Sequence, residues 1–287
     1  MRNRGISVII IFHKRHQHLL KVLKGIEIGT IIPDEVILIE MDTQKSFIPE
    51  SLLDIKHYII DTGKYEHLPI AEARNLGAYW STNDVLAFLD VDCVPSKNYI
   101  CQIEQSQIED GCLYMGTPKY LNAPIGKMSQ TELESCSELH PHRPNFKVIT
   151  SIEDYGMFWS LTFFLTHSTF SKIDGFDIGY TGYGAEDTDF AFKARQLKIP
   201  FYLTPFFVYH QQHSFCRPPL NNMKAIVENC NYFYSKWNLW PMSNHLEAFA
   251  SENLINWNPE QNKPIEIINK PTELMIEDAL VLDEPYA

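Results

Sequence analysis

The chain has 287 residues, enough for one large α/β domain or two small ones, and 45% hydrophobic content supplies a core rather than a disordered polymer. With 36 acidic against 24 basic side chains the formal net charge is -12, which argues against a nucleic-acid backbone as the main partner. A nucleotide is not excluded, because a metal and one or two basic groups can meet its few charges. The six cysteines are scattered without a C-x-x-C pair, no apolar run approaches the ~20 residues of a membrane span, and the short N-terminal apolar stretch lacks a cleavage pattern. Free thiols in a reducing cytoplasm are the expectation.

Taken in order, ISVIIIF at 6–12 is β-branched and reads as a first buried strand. Residues 16–25 carry Leu19, Leu20, Val22 and Leu23 between lysines, an amphipathic helix ended by Gly25. After the Pro33-Asp34 turn, EVILIE at 35–40 is a second strand, with Glu40 and Asp42 at its carboxyl end. A shorter strand follows at 58–61, then a helix over 68–80 in which Ile70, Ala73, Leu76, Gly77 and Trp80 recur every three or four residues, with Arg74 and Asn75 in its middle. VLAFLDVDCVP at 85–95 is an apolar run suited to a buried parallel strand; it ends in Asp90 and Asp92, and Pro95 is expected to stop the ladder. This alternation predicts an α/β fold, a mostly parallel open sheet with right-handed crossovers and helices on both faces. HKRH at 13–16 is neither G-x-G-x-x-G nor a P-loop, so those nucleotide folds fall away.

Further along, a helix is expected over 98–110, a strand over 112–116, a polar loop or insertion over 119–150, and a strand over 158–166. DGFDIGYTGYGAEDTD at 174–189 places four glycines ahead of Glu186, Asp187 and Asp189 and a helix over 190–197. Acidic groups in a first helical turn complement the dipole, which accounts for part of the triplet but not for the glycine-rich loop before it. A last strand spans 201–209, and His210 and His213 lie just past it, either as metal ligands or as ordinary strand-end imidazoles. Met223, Ile226, Val227, Cys230, Phe233 and Tyr234 give a helix with one apolar face, a stripe expected to be core. The expected organisation is one domain over about 1–240, with a donor-binding half over about 1–118 and an acceptor and catalytic half over about 150–240. Residues 241–287 read as an acidic tail with one short helix.

Two carboxylates at the carboxyl end of a buried strand sit where open α/β sheets hold ligands. They repel and lose hydration, so a compensating cation is expected, and hard oxygen ligands suit Mg²⁺ or Mn²⁺. A lone D-x-D is weak. Together with ARNLG at 73–77, GYGAED at 182–187 and His213-Ser214, however, it resembles inverting glycosyltransferases of the GT-A fold, similar to family 2 on the N-terminal side and to the β-1,4-galactosyltransferase type on the C-terminal side.

The resemblance covers about residues 5–215 and implies a nucleotide-sugar donor such as UDP-Gal or UDP-GalNAc, a glycan acceptor and a Mn²⁺ (or Mg²⁺) cofactor. By position it makes Asp92 and His213 metal ligands, with His210 where galactosyltransferases carry a methionine. It makes Asp187 the catalytic base with Glu186 beside it holding the acceptor. Arg74, Asp90, Tyr183 and Gly184 fall in the donor and substrate site, and Glu40 or Asp42 near the uracil. Tyr183, Ala185 and Thr188 depart from the tryptophan, glycine and aspartate of the family pattern. A nucleotidyltransferase, or a sugar-nucleotide-binding module that has lost its chemistry, are the alternatives; free UDP as product, against pyrophosphate or nothing, separates the three. No basic amphipathic helix argues for a membrane surface.

Overall fold

The computed structural model describes residues 4–126, 128–141 and 143–282. Strand β1 (Ile6–Phe12) leads through α1 (His16–Glu27) to β2 (Glu35–Met41) and β3 (Ile55–Ile60), and α2 (Ile70–Trp80) returns the chain to β4 (Val85–Asp90). These four strands lie side by side in the order β3-β2-β1-β4, all parallel. Alternate residues of each strand enter opposite cores: Ile6, Val8, Ile10 and Phe12 of β1 on one face, Ile9 and Ile11 on the other. Both faces are covered, which is why these strands read as unbroken apolar runs rather than as alternation. Register sets Phe12 beside Glu40 and Ile11 beside Asp90, so the acidic strand ends share one edge of the sheet.

Beyond β4 the expected parallel order gives way to a mixed one. After β5 (Cys93–Pro95), α3 (Tyr99–Gln105) and β6 (Leu113–Leu121), the chain makes α4 (Gln130–Ser135), β7 (Ser137–Leu139), β8 (Thr150–Ile152) and β9 (Thr162–Thr166). Helices α5 (His167–Ile173) and α6 (Glu186–Gln196) then precede β10 (Phe201–His210). Strand β9 lies antiparallel between β4 and β6, and β10 is parallel to β6 but antiparallel to β5 and β8. Pro95 does not end the ladder at once; it pairs with Val208 at the sheet's edge, where a missing N–H is tolerated. Helices α1 and α3 cover one face of the sheet, and α2, α5 and α6 the other. The segment expected as a loop over 119–150 is partly ordered: β6 runs on to Leu121, β7 pairs with it, and the Ser129 side chain caps α4 by accepting from the Glu132 N–H.

The expected acidic tail is a correction. After β11 (Phe215–Cys216) and α7 (Met223–Trp237), the chain folds into α8 (Ser243–Ser251), β12 (Ile255–Asn256), β13 (Glu266–Ile267), α9 (Glu273–Asp278) and β14 (Leu280–Val281). Leu246, Phe249, Leu254, Ile255, Trp257, Ile265 and Ala279 build a core of their own against Met223, Ile226, Val227 and Cys230 of α7. A few apolar anchors spaced among polar residues gave the sequence no period to read. Strand β14 pairs with β11, which begins two residues beyond His213, so this region backs the site. Residues 283–287 of the expected tail lie outside the described residues.

Candidate active site

The antiparallel pairing of β10 with β5 sets His210 opposite Cys93, and the Gln211 N–H donates to the Asp92 carbonyl at 2.7 Å. That register brings Asp92, His210 and His213 together, with one ligand atom from each lying within 4.8 Å of the others. The His213 Nδ1 donates to the Ser214 carbonyl at 2.9 Å, since a carbonyl only accepts, and its Nε2 lies 3.8 Å from Asp92. Burial lowers the proton affinity of both imidazoles, that of His210 to about 4, so they are neutral at physiological pH. Burial alone would raise Asp92, but the Arg15 guanidinium, which donates to its Oδ2, together with His210 and His213 holds it below the ordinary carboxylate value. Its Oδ1 is buried and accepts no hydrogen bond. Two neutral nitrogens, one ionised carboxylate and a buried acceptor without a donor fit a divalent ion such as Mn²⁺.

A second group of charges surrounds Arg74, buried in the middle of α2. Four of the five residues of the 73–77 motif have a structural reason. Ala73 is buried in the core, and Arg74 donates to Glu186 at 3.0 Å and Asp90 at 3.5 Å. Asn75 exchanges hydrogen bonds with the backbone of Phe176 at 2.7 and 2.8 Å, and any Cβ on Gly77 would meet Ile9 at 2.3 Å. The motif therefore ties the first half of the chain to the loop ahead of α6.

Burial raises Asp90 to about 6 against the pull of Arg74, with Asp92 and Glu186 adding to the rise. Burial and the neighbouring Glu186 raise Asp187 to about 7, opposed by Arg74 and by the backbone N–H groups of Thr188 and Ser160. Glu186 keeps its Oε2 buried with no hydrogen bond, an acceptor open to a ligand hydroxyl. The third acid of the triplet has a different role: Asp189 accepts from Trp237 at 2.8 Å and Tyr180 at 3.1 Å and pairs with Lys236 at 2.6 Å, fastening α6 to α7.

The glycine-rich loop is held from behind by Asn229 of α7, which donates to the carbonyls of Thr181 and Gly184, each at 2.9 Å. Gly184 has φ +109 and a Cβ there would lie 2.6 Å from the Met242 sulfur, so its identity follows from the backbone turn and close packing. Tyr183 packs partly buried against the core of α7 and α8. Glu40 is fully buried and its carboxylate already accepts from the Ser46 N–H at 2.7 Å, the Ser46 hydroxyl and His57 at 3.0 Å. It braces the 42–46 loop, and Asp42, 3.8 Å from His13, is the half-exposed member of the pair.

Sequence reasoning passed over Arg15 and His18, which lie on the loop and helix after β1. Arg15 pairs with Asp92, and His18 lies 3.9 Å from it. Their signal was a basic cluster at the carboxyl end of a parallel strand, read only as the absence of a glycine motif. Asn229 and Arg143 left no local signal.

Residues 7–147 match the family model of glycosyl transferase family 2, and residues 146–214 match the model described as the N-terminal domain of galactosyltransferase. The fold is that of the GT-A glycosyltransferases, and the two matches together run over residues 7–214, a family 2-type stretch followed by a galactosyltransferase-type one. Among curated proteins, none matches it in sequence. Among solved structures it is similar to GalNAc-T7 crystallised with UDP, GalNAc and Mn²⁺, with a TM-score of 0.55 at 16% identity over 74% of this chain and 44% of that one. It is also similar to S. aureus TarS 1-349, with a TM-score of 0.52 at 12% identity over 79% of this chain and 64% of that one. For the UDP-GlcNAc complex of TarS 1-349 the TM-score is 0.52 at 12% identity, over 73% of this chain and 59% of that one. The chain thus spans less than two thirds of the structures it resembles. Among the described residues no helix is long and apolar enough to cross a membrane.

Proposed function

We propose that the protein is an inverting, metal-dependent glycosyltransferase moving a hexose from a UDP-sugar to a glycan hydroxyl, with Asp187 as general base. The carrying observation is the Arg74 bridge. One guanidinium reaches Asp90, two residues before the ligand set Asp92, His210 and His213, and also Glu186, the neighbour of Asp187. The proposed metal ligands and the proposed base are thereby linked through one buried guanidinium. The solved neighbours crystallised with UDP, or with UDP and Mn²⁺, support the same donor class.

A divalent ion on Asp92, His210 and His213 would neutralise the donor's diphosphate and stabilise the departing phosphate oxygen. Arg15, released from Asp92, has a fork suited to a phosphate oxygen. Asp187 takes the proton of the acceptor hydroxyl as that oxygen attacks the anomeric carbon; the bond from that carbon to the β-phosphate oxygen breaks, and UDP leaves from the opposite face. Glu186 Oε2 accepts from a second acceptor hydroxyl and orients it. Asp42 is the better placed of the two strand-end acids to meet the base of the nucleotide.

Calorimetric titration of UDP with and without Mn²⁺, on the wild type and on Asp92→Ala, tests the reading. Metal-dependent binding that the variant loses is the expected result. Equal binding with and without the ion would sink it.

A further inference from the structure

Arg143 is firmly held. The Arg143 N–H donates to the His140 carbonyl at 2.9 Å, its guanidinium donates to the Met157 carbonyl, and its Cζ lies 3.3 Å from the centre of the Trp159 ring. Arg15 and Arg74 each meet a carboxylate; among the described residues, Arg143 has none within ion-pair distance. Burial lowers its proton affinity to about 10, so it stays charged at neutral pH. A partly buried cation with no carboxylate in ion-pair contact is incompletely compensated, and an anionic ligand would complete it.

Its position says which ligand. Ser160, next to Trp159, donates its N–H to the Asp187 carboxylate, and Asp187 is near enough for its charge to act on Arg143. A row of rings leads the other way: Trp159 meets His140 edge-on at 5.0 Å, Tyr120 lies 5.7 Å from His140, and Tyr120 lies 5.1 Å from His210. Arg143 is therefore beside the base and at the far end of that row from the donor's ligand set. Asp187 and Asp154 act on Arg143 through space, but neither makes an ion pair with it among the described residues, whereas Arg74 is tied directly to the acidic pair through Glu186. An anionic acceptor approaching a protein of net charge -12 and the carboxyls of Asp90, Glu186 and Asp187 would be repelled without a cation on its own side.

We propose that Arg143, held flat by Trp159, recognises a carboxylate or phosphate on the acceptor, so that the transferase acts on an anionic glycan. The inference rests on the glycosyltransferase reading. A planar guanidinium stacked on an aromatic face presents its remaining N–H groups edge-on, the geometry that takes such an anion bidentately.

The test compares methyl β-glucuronide, methyl β-glucoside and methyl β-glucoside 6-phosphate as ligands of the wild type, Arg143→Gln and Arg143→Lys, by calorimetry with UDP and Mn²⁺ present. Wild type is expected to bind at least one charged probe about 10–100-fold more tightly than the neutral one. Which charged probe it prefers tells carboxylate from phosphate. Arg143→Gln should erase the preference while leaving the neutral probe and UDP within twofold, and Arg143→Lys should restore part of it.

No preference in the wild type, or no binding of any probe, overturns the inference, as does a preference that survives in Arg143→Gln. So does a loss of UDP affinity in Arg143→Gln, which would make Arg143 a donor contact. Should Arg143→Gln fail to fold, the wild-type preference and its change in Arg143→Lys decide. Failure of the parent reading looks different: UDP would then bind the wild type no better with Mn²⁺.

Discussion

Asp90 and Asp92 are two residues apart at one strand end, yet their carboxyls move in opposite directions: Asp90 is raised to about 6 and Asp92 is held below its ordinary value. Burial presses both upward, so the difference lies in what faces them. Asp92 has the Arg15 guanidinium largely to itself and two imidazoles nearby, whereas Asp90 shares Arg74 with Glu186 at longer range. One side of the cleft therefore holds negative charge ready for a cation, and the other, which includes Asp187, holds carboxyls that keep a proton nearly to neutrality. Environments that push neighbouring carboxyls apart divide electrostatic work from proton transfer.

The sharpest way to break this division is at Asp187. Asp187→Asn is expected to lower turnover by about 10²–10⁴-fold, read as UDP release, while calorimetric UDP affinity stays within twofold. Equal losses in both would erase the distinction between the two sides. Next in size is the contrast between the two arginines. Arg74→Met leaves Asp90 and Glu186 buried without their cation and should cost about 3–5 kcal/mol in urea unfolding. Arg15 is 37% exposed in its side chain, so Arg15→Met should cost only about 0–1 kcal/mol. Smaller again, His210→Ala should weaken Mn²⁺ binding, followed by the ion's paramagnetic resonance, by at least the ~10–100-fold that loss of a residue supporting a metal ligand costs. Unchanged Mn²⁺ affinity would place the ion elsewhere.

The two sides were not equally legible. Parallel strands buried on both faces announce themselves as apolar runs, so β1, β2 and β4 and the acids ending them could be read directly. The gathering of Asp92 with His210 depends on an antiparallel register between β5 and β10, separated by more than a hundred residues, and only the resemblance to known transferases pointed there. Glu40 was legible as a strand-end acid, but its engagement by Ser46 and His57 was not, because loop closure sets it. The region after residue 241 misled for the converse reason: short elements packing single large side chains, such as Phe249 and Trp257, leave no periodicity.

The acid side can be sharpened by pH. As the proposed base, Asp187 would have to be deprotonated to accept the acceptor's proton, and its carboxyl is raised to about 7. Below that pH, kcat/KM should fall tenfold per unit, with an acid limb near 7 that a side chain of ordinary carboxylate affinity would place about three units lower. A limb near pH 4 would return Asp187 to the charge-holding side.

The same shift bears on stability, with a definite sign. From pH 3.8, the ordinary value, up to about 7, folded Asp187 keeps a proton that the unfolded chain has released. Its contribution is therefore fully present below the ordinary value and is lost as pH rises through about 7. An asparagine has no proton to lose and its amide oxygen can still accept from the Thr188 N–H, which lies 2.7 Å from the carboxylate. Asp187→Asn should thus melt with the wild type near pH 4 and above it near pH 8, by as much as about 4 kcal/mol. An activity-abolishing change that stabilises the protein only at neutral pH is the signature of a carboxylate held charged against its surroundings. A melting difference that stays constant from pH 4 to pH 8 would instead mean that Asp187 is an ordinary helix-start aspartate, and that the acid side of the cleft is no different from the other.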